Sequence, residues 1–421
     1  MSSKVKELPG EAVAAAVRSP SIAHSARAYT ERVRAGDMGA LPAVLGLVVL
    51  CTAFALARPA FLTAINFANL FTQGAAITVI AMGLVFVLLI GEIDLSAGFT
   101  SGVCAAVLAV ALTNMGLPWY VGVLAAIVTG AVIGTVLGAI VAKVGIPSFV
   151  VTLAAFLAFQ GLVLVLVNEG TNISINDPVI KAVAQRNLPP ALGWALYALS
   201  VLAYAGLQVV RARKRAARGL VADPPSLIAA RVGALAVLAG VAVYVLNLER
   251  SFNPAFASLK GVPIVVPVIL ALLVLWTFVL RRTAFGRHVY AVGGNAEAAR
   301  RAGIAVDRIR VSAFVICSAM AAVGGIVAAS RASSVDPNTG GSSVLLYAVG
   351  AAVIGGTSLF GGKGRVLDAV LGGAVIAVID NGMALMQYGS SVKYLVTGFV
   401  LLLAAGVDAL ARKRAAAAGL R

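Results

Sequence analysis

Charged side chains are scarce in this chain of 421 residues: Asp, Glu, Lys and Arg make up 12%, against 61% hydrophobic residues, and the mean hydropathy is +0.99. A soluble domain carries about 25% charged residues, so a water-exposed surface of this size cannot be built from this composition. Cysteine is nearly absent. Cys51, Cys104 and Cys317 all fall inside apolar runs with no CxxC spacing, which excludes a disulfide framework or a cysteine metal site and leaves small core residues. The two histidines, His24 and His288, lie in basic segments and form no metal cluster. No Ser/His/Asp group and no pair of carboxylates is spaced for catalysis. The first 40 residues lack the apolar core and small-residue cleavage site of a signal peptide.

What is present is a series of apolar runs of about 20 residues, the length that crosses about 30 Å of hydrocarbon as helix. Cutting at charged and Gly/Pro-rich punctuation gives twelve candidate spans: 41–58, 68–90, 94–112, 119–144, 147–167, 192–210, 228–248, 262–280, 311–331, 343–358, 366–388 and 391–410. The expected fold is an all-α integral membrane bundle of about ten to twelve transmembrane helices, some short or broken. The net charge of +17 does not point to nucleic acid, because the basic residues sit in short clusters between apolar runs without interleaved aromatics. They mark topology instead. With the N-terminus inside, about 26 of the 33 Lys and Arg fall on the cytoplasmic side, as the positive-inside rule requires. The expected parts are a cytoplasmic tail (1–40), a membrane domain (41–410) and a cytoplasmic C-terminal tail (411–421). The membrane domain carries a basic loop (211–227) and a long cytoplasmic loop (281–310). The external stretch 168–191 is polar and turn-rich, suited to a soluble partner.

Four segments invite a chemical reading. Residues 91–98 place Glu92 and Asp94 between consecutive apolar runs, where charge at mid-bilayer costs about 2.5–3.5 kcal/mol. They read either as a discontinuous helix capped by Asp94 or Ser96 and lining a path, or as a plain cytoplasmic turn. Residues 281–310 contain a short helix with proper ends: Asn295 as N-cap, Glu297 in the first turn, Arg300 and Arg301 in the last, and Gly303 as C-cap. A helix of two turns is not stable alone. The surface of Ala296, Ala298, Ala299, Ala302 and Ile304, following Gly293 and Gly294, therefore reads as a docking face for a cytoplasmic motor, the alternative being a basic loop on lipid headgroups. Residues 355–365 are Gly-rich, but Gly362 separates Gly361 from Lys363 and Gly364 follows, so the phosphate-loop pattern fails and a tight turn is expected. At membrane depth the polar residues are few: Gln73, Thr152, Gln160, Asp380 and Asn381. Asp380 with Asn381 reads either as a solute contact or as a partner of Lys393. Gly130, Gly134 and Gly138 repeat every fourth residue and signal close helix packing. IGEIDLSAG at 90–98 and IGGTSLFGG at 354–362 share four residues, too few to establish a duplication.

Several of these segments together resemble a known family. EIDLSAG (92–98), IPSFVVTLAAFLAFQG (146–161), TAFGRHVYAVGGNAEAARRAGIAVDR (283–308), VIGGTSLFGGKG (353–364) and DNGMALM (380–386) look like the permease subunits of bacterial ATP-binding cassette (ABC) monosaccharide importers. The xylose-type members are the nearest likeness, from EIDLS and from the extra helical pair at 192–248. Ala97 and Phe99 stand where the family often has Val and Ser, and the first 40 residues match nothing in it. The resemblance implies a homodimeric pore in the bacterial inner membrane that moves D-xylose, or ribose or galactose, by alternating access. It implies ABC ATPase subunits beneath 283–308 and a periplasmic sugar-binding protein above, with ATP and Mg on the ATPase and no cofactor on this chain. The capped helix of the 281–310 loop, placed beneath the bundle by the resemblance, makes Gly293, Gly294, Asn295, Glu297, Ala298, Ala299, Arg300, Gly303 and Ile304 the expected ATPase-coupling residues. The polar groups at membrane depth and in 91–98 make Glu92, Asp94, Ser96, Thr152, Gln160, Asp380 and Asn381 the expected path or gate. An ion-coupled secondary transporter is the alternative from another class, and would call for paired carboxylates at mid-membrane.

Overall fold

The computed structural model describes residue 31 and residues 39–220, 222–251, 253–254 and 258–417. The expected tail 1–40 therefore lies outside the described residues apart from 31, 39 and 40, as do His24 and residues 418–421. Fifteen helices and one two-residue ladder make up the described chain. In order they are α1 (Leu41–Ala57), α2 (Ala64–Leu89), α3 (Ala97–Ala109), α4 (Trp119–Ala139), α5 (Ser148–Val167), β1 (Ile173–Ser174), α6 (Pro178–Gln185), α7 (Pro190–Ala216) and α8 (Pro225–Asn247). Then follow α9 (Val265–Arg282), α10 (Ala284–Gly294), α11 (Ala296–Arg301), α12 (Val306–Ala332), β2 (Ser334–Val335), α13 (Ser342–Ile354), α14 (Val366–Leu385) and α15 (Ser390–Ala417). A π turn extends α3 to Asn114 and another extends α4 to Val144.

Among the described residues nine helices are long and apolar enough to cross a membrane, and three shorter apolar helices, Leu41–Ala57, Ser342–Ile354 and Ser390–Leu403, accompany them. Each of the twelve expected spans has its helix, and 119–144 is reproduced as Trp119–Val144. Two ends run past the hydrocarbon. Helix α7 continues through the basic run to Ala216, and α15 passes residue 410 to reach Ala417. Arg213, Lys214 and Arg215 occupy the last turn of α7, where cations complement the helix dipole.

Helices α2 and α12 form the spine. From Val79 to Leu89 every residue of α2 is buried, because neighbours cover it on all sides. Lipid offers no hydrophobic drive between helices, so close backbone approach supplies the attraction. The stripe on α4 does this against α12. A Cβ at Gly130 would lie 2.6 Å from the Ser318 carbonyl oxygen, one at Gly134 2.4 Å from that of Phe314, and one at Gly138 2.8 Å from Val311 Cα. Helices α7 and α8 hang outside. None of the apolar window of α8 is buried, and Leu202, Leu238 and Val241 face outward, as expected of a lipid-facing pair.

The connections sort into two ends. One, the basic end, gathers the turn after Leu89, the α10–α11 hairpin and residues 355–365, and it carries Arg281, Arg282, Arg287, Arg300, Arg301, Arg308, Arg310, Lys363 and Arg365. The far end holds the β1–β2 ladder, which pairs Ile173 with Val335, and the loop after α8. There the Glu249 carboxylate accepts from the N–H groups of Leu259 and Ser251, 3.0 Å each, and from the Ser258 hydroxyl at 2.8 Å. These bonds, Leu259's first, hold its pKa down at about 2.

Two outcomes follow. Gly134→Leu drives a side chain into the α12 backbone, an overpacking cost of about 1–3 kcal/mol or more. Its melting temperature in detergent should fall well below that of Gly206→Leu, a position with nothing within 4 Å. The Glu249 contacts, with a depressed folded-state pKa, contribute fully above about pH 4.5 and are lost as pH falls towards about 2. Protection of the Leu259 amide from hydrogen exchange should therefore survive at pH 4, and Glu249→Gln should weaken it at pH 4 and above.

Candidate functional site

At the basic end three breaks in the helical chain meet. The first is the turn after α2, where Gly91 has φ +78°. The second is the α10–α11 hairpin. The third is the loop between α13 and α14, where Gly361 and Gly362 have φ of +84° and +72°, so the tight-turn reading of 355–365 holds. The Gly362 N–H donates to the Leu89 carbonyl at 2.8 Å, joining the first break to the third. Gly293 wedges between them: a Cβ there would sit 1.7 Å from the Leu89 oxygen and 2.7 Å from the Gly362 nitrogen. On the same helix the Tyr290 hydroxyl donates to the Gly364 carbonyl at 2.7 Å. Only glycine allows three backbones this close.

The hairpin's outer part is built as the sequence suggests. The Asn295 side chain accepts from the Ala298 N–H at 2.9 Å. At the other end the Gly303 N–H bonds the Arg300 carbonyl and the Ile304 N–H the Ala299 carbonyl, both at 3.0 Å, with Gly303 at φ +83°; this is the paired C-terminal cap that glycine favours. Glu297 pairs with Arg301 at 3.1 Å and with Arg300 at 3.5 Å. The apolar face divides. Ala299 is buried and Ala296 and Ile304 are half-buried against the bundle, while Gly294, Ala298 and Ala302 are exposed beside Asn295, Glu297, Arg300 and Gly303. The exposed face is thus narrower than the sequence suggests, because a helix of six residues must spend one side on its own protein.

From Gly91 the chain does not turn directly into α3. It climbs back into the bundle. Glu92 pairs with Arg310 at 3.1 Å. The Ile93 N–H donates to the Ser148 hydroxyl at 3.1 Å, and the Thr152 hydroxyl donates to the Ile93 and Ser148 carbonyls at 3.2 and 2.8 Å. Asp94 is fully buried, and one carboxylate oxygen accepts from the Ser96 N–H at 2.9 Å and its hydroxyl at 2.6 Å. The carboxyl also faces the Cys317 thiol of α12, and among the described residues its other oxygen accepts no well-formed hydrogen bond. Ser96 occupies the N-cap position of α3, but its side chain caps nothing. Neither expected cap forms: Asp94 folds the approach to α3 rather than capping it, and the run from Gly91 to Ser96 is longer than a plain turn.

The remaining residues lie elsewhere. Asp380 pairs with Lys393 near the far end. The Asn381 amide donates to Asn66 at 2.8 Å and to Gln73 at 3.1 Å, a buried polar knot tying α14 to α2. Gln160 points outward from α5, exposed, and joins neither group. Two features escape a sequence reading. Asp368 is buried and clamps Arg365 through two contacts of 3.0 and 2.8 Å, fixing the start of α14; a base three residues before an acid at a helix start was the available signal. The second is the polar run 336–343, DPNTGGSS, which reads as an ordinary external loop but packs against the first turns of α3. A Cβ at Gly102 would lie 2.1 Å from the Thr339 oxygen, and one at Gly98 2.7 Å from that of Gly340.

The profile of the family described as branched-chain amino acid transport system / permease component matches residues 66–405. The xylose transport system permease protein of Escherichia coli is 36% identical over 355 residues, 84% of this chain and 87% of that one. Its Haemophilus influenzae counterpart is 34% identical over 372 residues, 88% and 96% of the two chains. The ribose import permease protein of Bacillus subtilis is 29% identical over 382 residues, 90% and 95%. No solved structure matches. A helical bundle whose interruptions converge beneath a capped hairpin, matched along nearly all of its membrane region, belongs to this family of permease components, and within it to the sugar permeases of ABC importers.

Proposed function

We propose that this chain is the membrane-spanning subunit of an importer that moves a monosaccharide, D-xylose in the first place, into the cytoplasm by alternating access. The basic end faces the cytoplasm, since Lys and Arg collect there, so both termini are cytoplasmic and the far end meets a periplasmic sugar-binding protein. A second copy completes the pore, and lipid surrounds the outer helices. ATP and Mg are held by a partner ATPase that docks under the α10–α11 hairpin. No cofactor is assigned to this chain. The observation that carries this reading is the double character of that hairpin. Its outer surface of Gly294, Ala298 and Ala302 is open, while Gly293 on its inner side presses on Leu89 and Gly362. Force applied outside reaches two broken helices at once.

The xylose assignment rests on the relatives named for xylose. Titrating pentoses and hexoses against the co-encoded binding protein tests it, and a hexose or ribose bound more tightly than xylose replaces it.

Gly294→Arg and Ala298→Glu should leave the chain folded but block docking. A loss on the order of 2 kcal/mol at a central contact weakens ATPase binding about 30-fold. In proteoliposomes with all partners, ATP-driven uptake should drop accordingly, and unchanged uptake removes the hairpin from the coupling path. Sugar uptake that persists without ATP but follows an ion gradient would make the chain a secondary transporter. Orientation has its own test. Ala298→Cys, with Cys51 replaced by Ser, should react with a membrane-impermeant maleimide in inverted vesicles and not in intact cells; the reverse pattern inverts the topology.

A further inference from the structure

We propose that the polar segment Asp336–Ser343 dips into the membrane and lines the path of a neutral, polyhydroxylated solute, with Asn338, Ser342 and Ser343 as the contacting side chains. This rests on the transport reading above and adds a location and contact residues to it.

The depth comes from two rulers that agree. Helix α13 has 13 residues between Ser342 and the basic-end loop, a rise of about 20 Å at 1.5 Å per residue. Ser342 thus stops about 10 Å short of the far edge of a 30 Å hydrocarbon layer. From the far end, Gly325 of α12 packs on the carbonyl of Ser101, and Gly340 packs on Gly98 and Gly102 of the same stretch of α3. Gly325 precedes Ala332, the last residue of α12, by seven positions, again about 10 Å. The segment thus enters from the far end, descends about a third of the membrane, and starts α13 from there.

Irregular backbone at such depth persists only when it is buried in protein or lines a water-filled cavity. One face of this segment is buried: Gly340, at φ +78°, lies against α3, and Val335 is fully enclosed. The other face is open. Asp336, Asn338 and Ser342 are exposed, and Thr339 and Ser343 half-exposed. Lipid cannot solvate that face.

The open groups have the chemistry of a sugar site. Asp336 helps to shape the turn, one oxygen of its carboxylate accepting from the Asn338 N–H at 2.7 Å, and the Thr339 hydroxyl accepts from the Asp336 N–H at 3.0 Å. Among the described residues the side chains of Asn338, Ser342 and Ser343 make no hydrogen bond within the chain. No side chain caps α13, which leaves its first N–H donors facing the same opening. An amide, two hydroxyls, free backbone donors and the open oxygen of Asp336 supply both donors and acceptors, the pairing that hydroxyl groups of a neutral solute require.

The test uses the transporter assembled with its ATPase and binding protein in proteoliposomes. In a Cys51→Ser background, Ser342→Cys should react with a small water-soluble thiol reagent, and sugar-loaded binding protein with ATP should change that rate. Leu238→Cys, on the lipid-facing α8, should stay inert. Asn338→Leu and Ser342→Val should lower uptake about tenfold, the scale of one or two lost hydrogen bonds, while ATP hydrolysis stimulated by the binding protein persists. Ser342→Thr should restore most of the uptake. If Asn338→Leu or Ser342→Val impairs assembly, Asn338→Ala and Ser342→Ala replace them with the same expectation. An inert Ser342→Cys in a transporting complex overturns the proposal, since the segment is then sealed against the second copy. So does uptake at the parent rate in both polar-to-apolar variants. If the parent complex moves no sugar with ATP, the transport reading itself fails, whichever cysteines react.

Discussion

Every backbone N–H and C=O at membrane depth must find its partner within the protein or in a water-filled cavity, and the architecture of this chain follows from where that demand is met helically and where it is not. At the periphery it is met by unbroken helices such as α7 and α8, with apolar residues facing outward. Interruptions occur only towards the middle. The approach to α3 is satisfied by Ser148 and Thr152 of α5 and by the Asp94–Ser96 pair, and the loop before α14 by the Leu89 carbonyl and the Asp368 carboxylate. Short polar side chains and bare glycine backbones stand in for the missing helical bonds, which is why Gly, Ser, Thr and Asp concentrate at the breaks.

That substitution also makes the breaks mechanically connected. Where a bulky side chain would separate two backbones by several ångströms, glycine lets the carbonyl of Leu89, the nitrogen of Gly362 and the Cα of Gly293 occupy nearly one place. Such a junction has little free volume, and packed interiors resist compression. Displacement of α10 must therefore carry α2 and the α13–α14 loop with it. The Asp368–Arg365 clamp and the Tyr290 bond to Gly364 extend that unit to the start of α14.

The twelve helices were legible because a bilayer sets one length scale, about 20 apolar residues per crossing, and the hairpin because caps are local chemistry written within six residues of sequence. Asn295 and Gly303 need no knowledge of the rest of the fold. Gln160 was misleading for the opposite reason: composition places it at membrane depth, but the face it takes depends on where α5 packs, which periodicity in an all-apolar helix does not reveal. Asp380 carried two readings because pairing with Lys393 depends on how α14 and α15 sit. The segment 336–343 was hidden most thoroughly. Its turn-rich composition is that of an external loop, and only the glycines of α3, Gly98 and Gly102, opposite Thr339 and Gly340, show that it has been drawn inward.

These elements combine into one line of transmission. On the proposed reading a motor bound at Ala298 moves α10–α11, and Gly293 passes the displacement to Gly362. The loop 355–365 is short and stitched by the Ser358 N–H to the Lys363 carbonyl at 2.8 Å, so it transfers motion rather than absorbing it. Helix α13 then reaches from this loop to Ser342 without interruption, and a helix is stiff along its axis because each turn is bonded to the next. Its far tip is where the re-entrant segment begins. A single rigid element thus joins the basic-end junction to the polar face inside the membrane, and Leu89 joins the same junction to the approach to α3 through Asp94. Both walls of the opening, α3 and the segment lying on it, are tied to one point. Motion of that point relative to the α4–α12 glycine contact, which holds the rest of the bundle, changes the opening without any helix having to unfold.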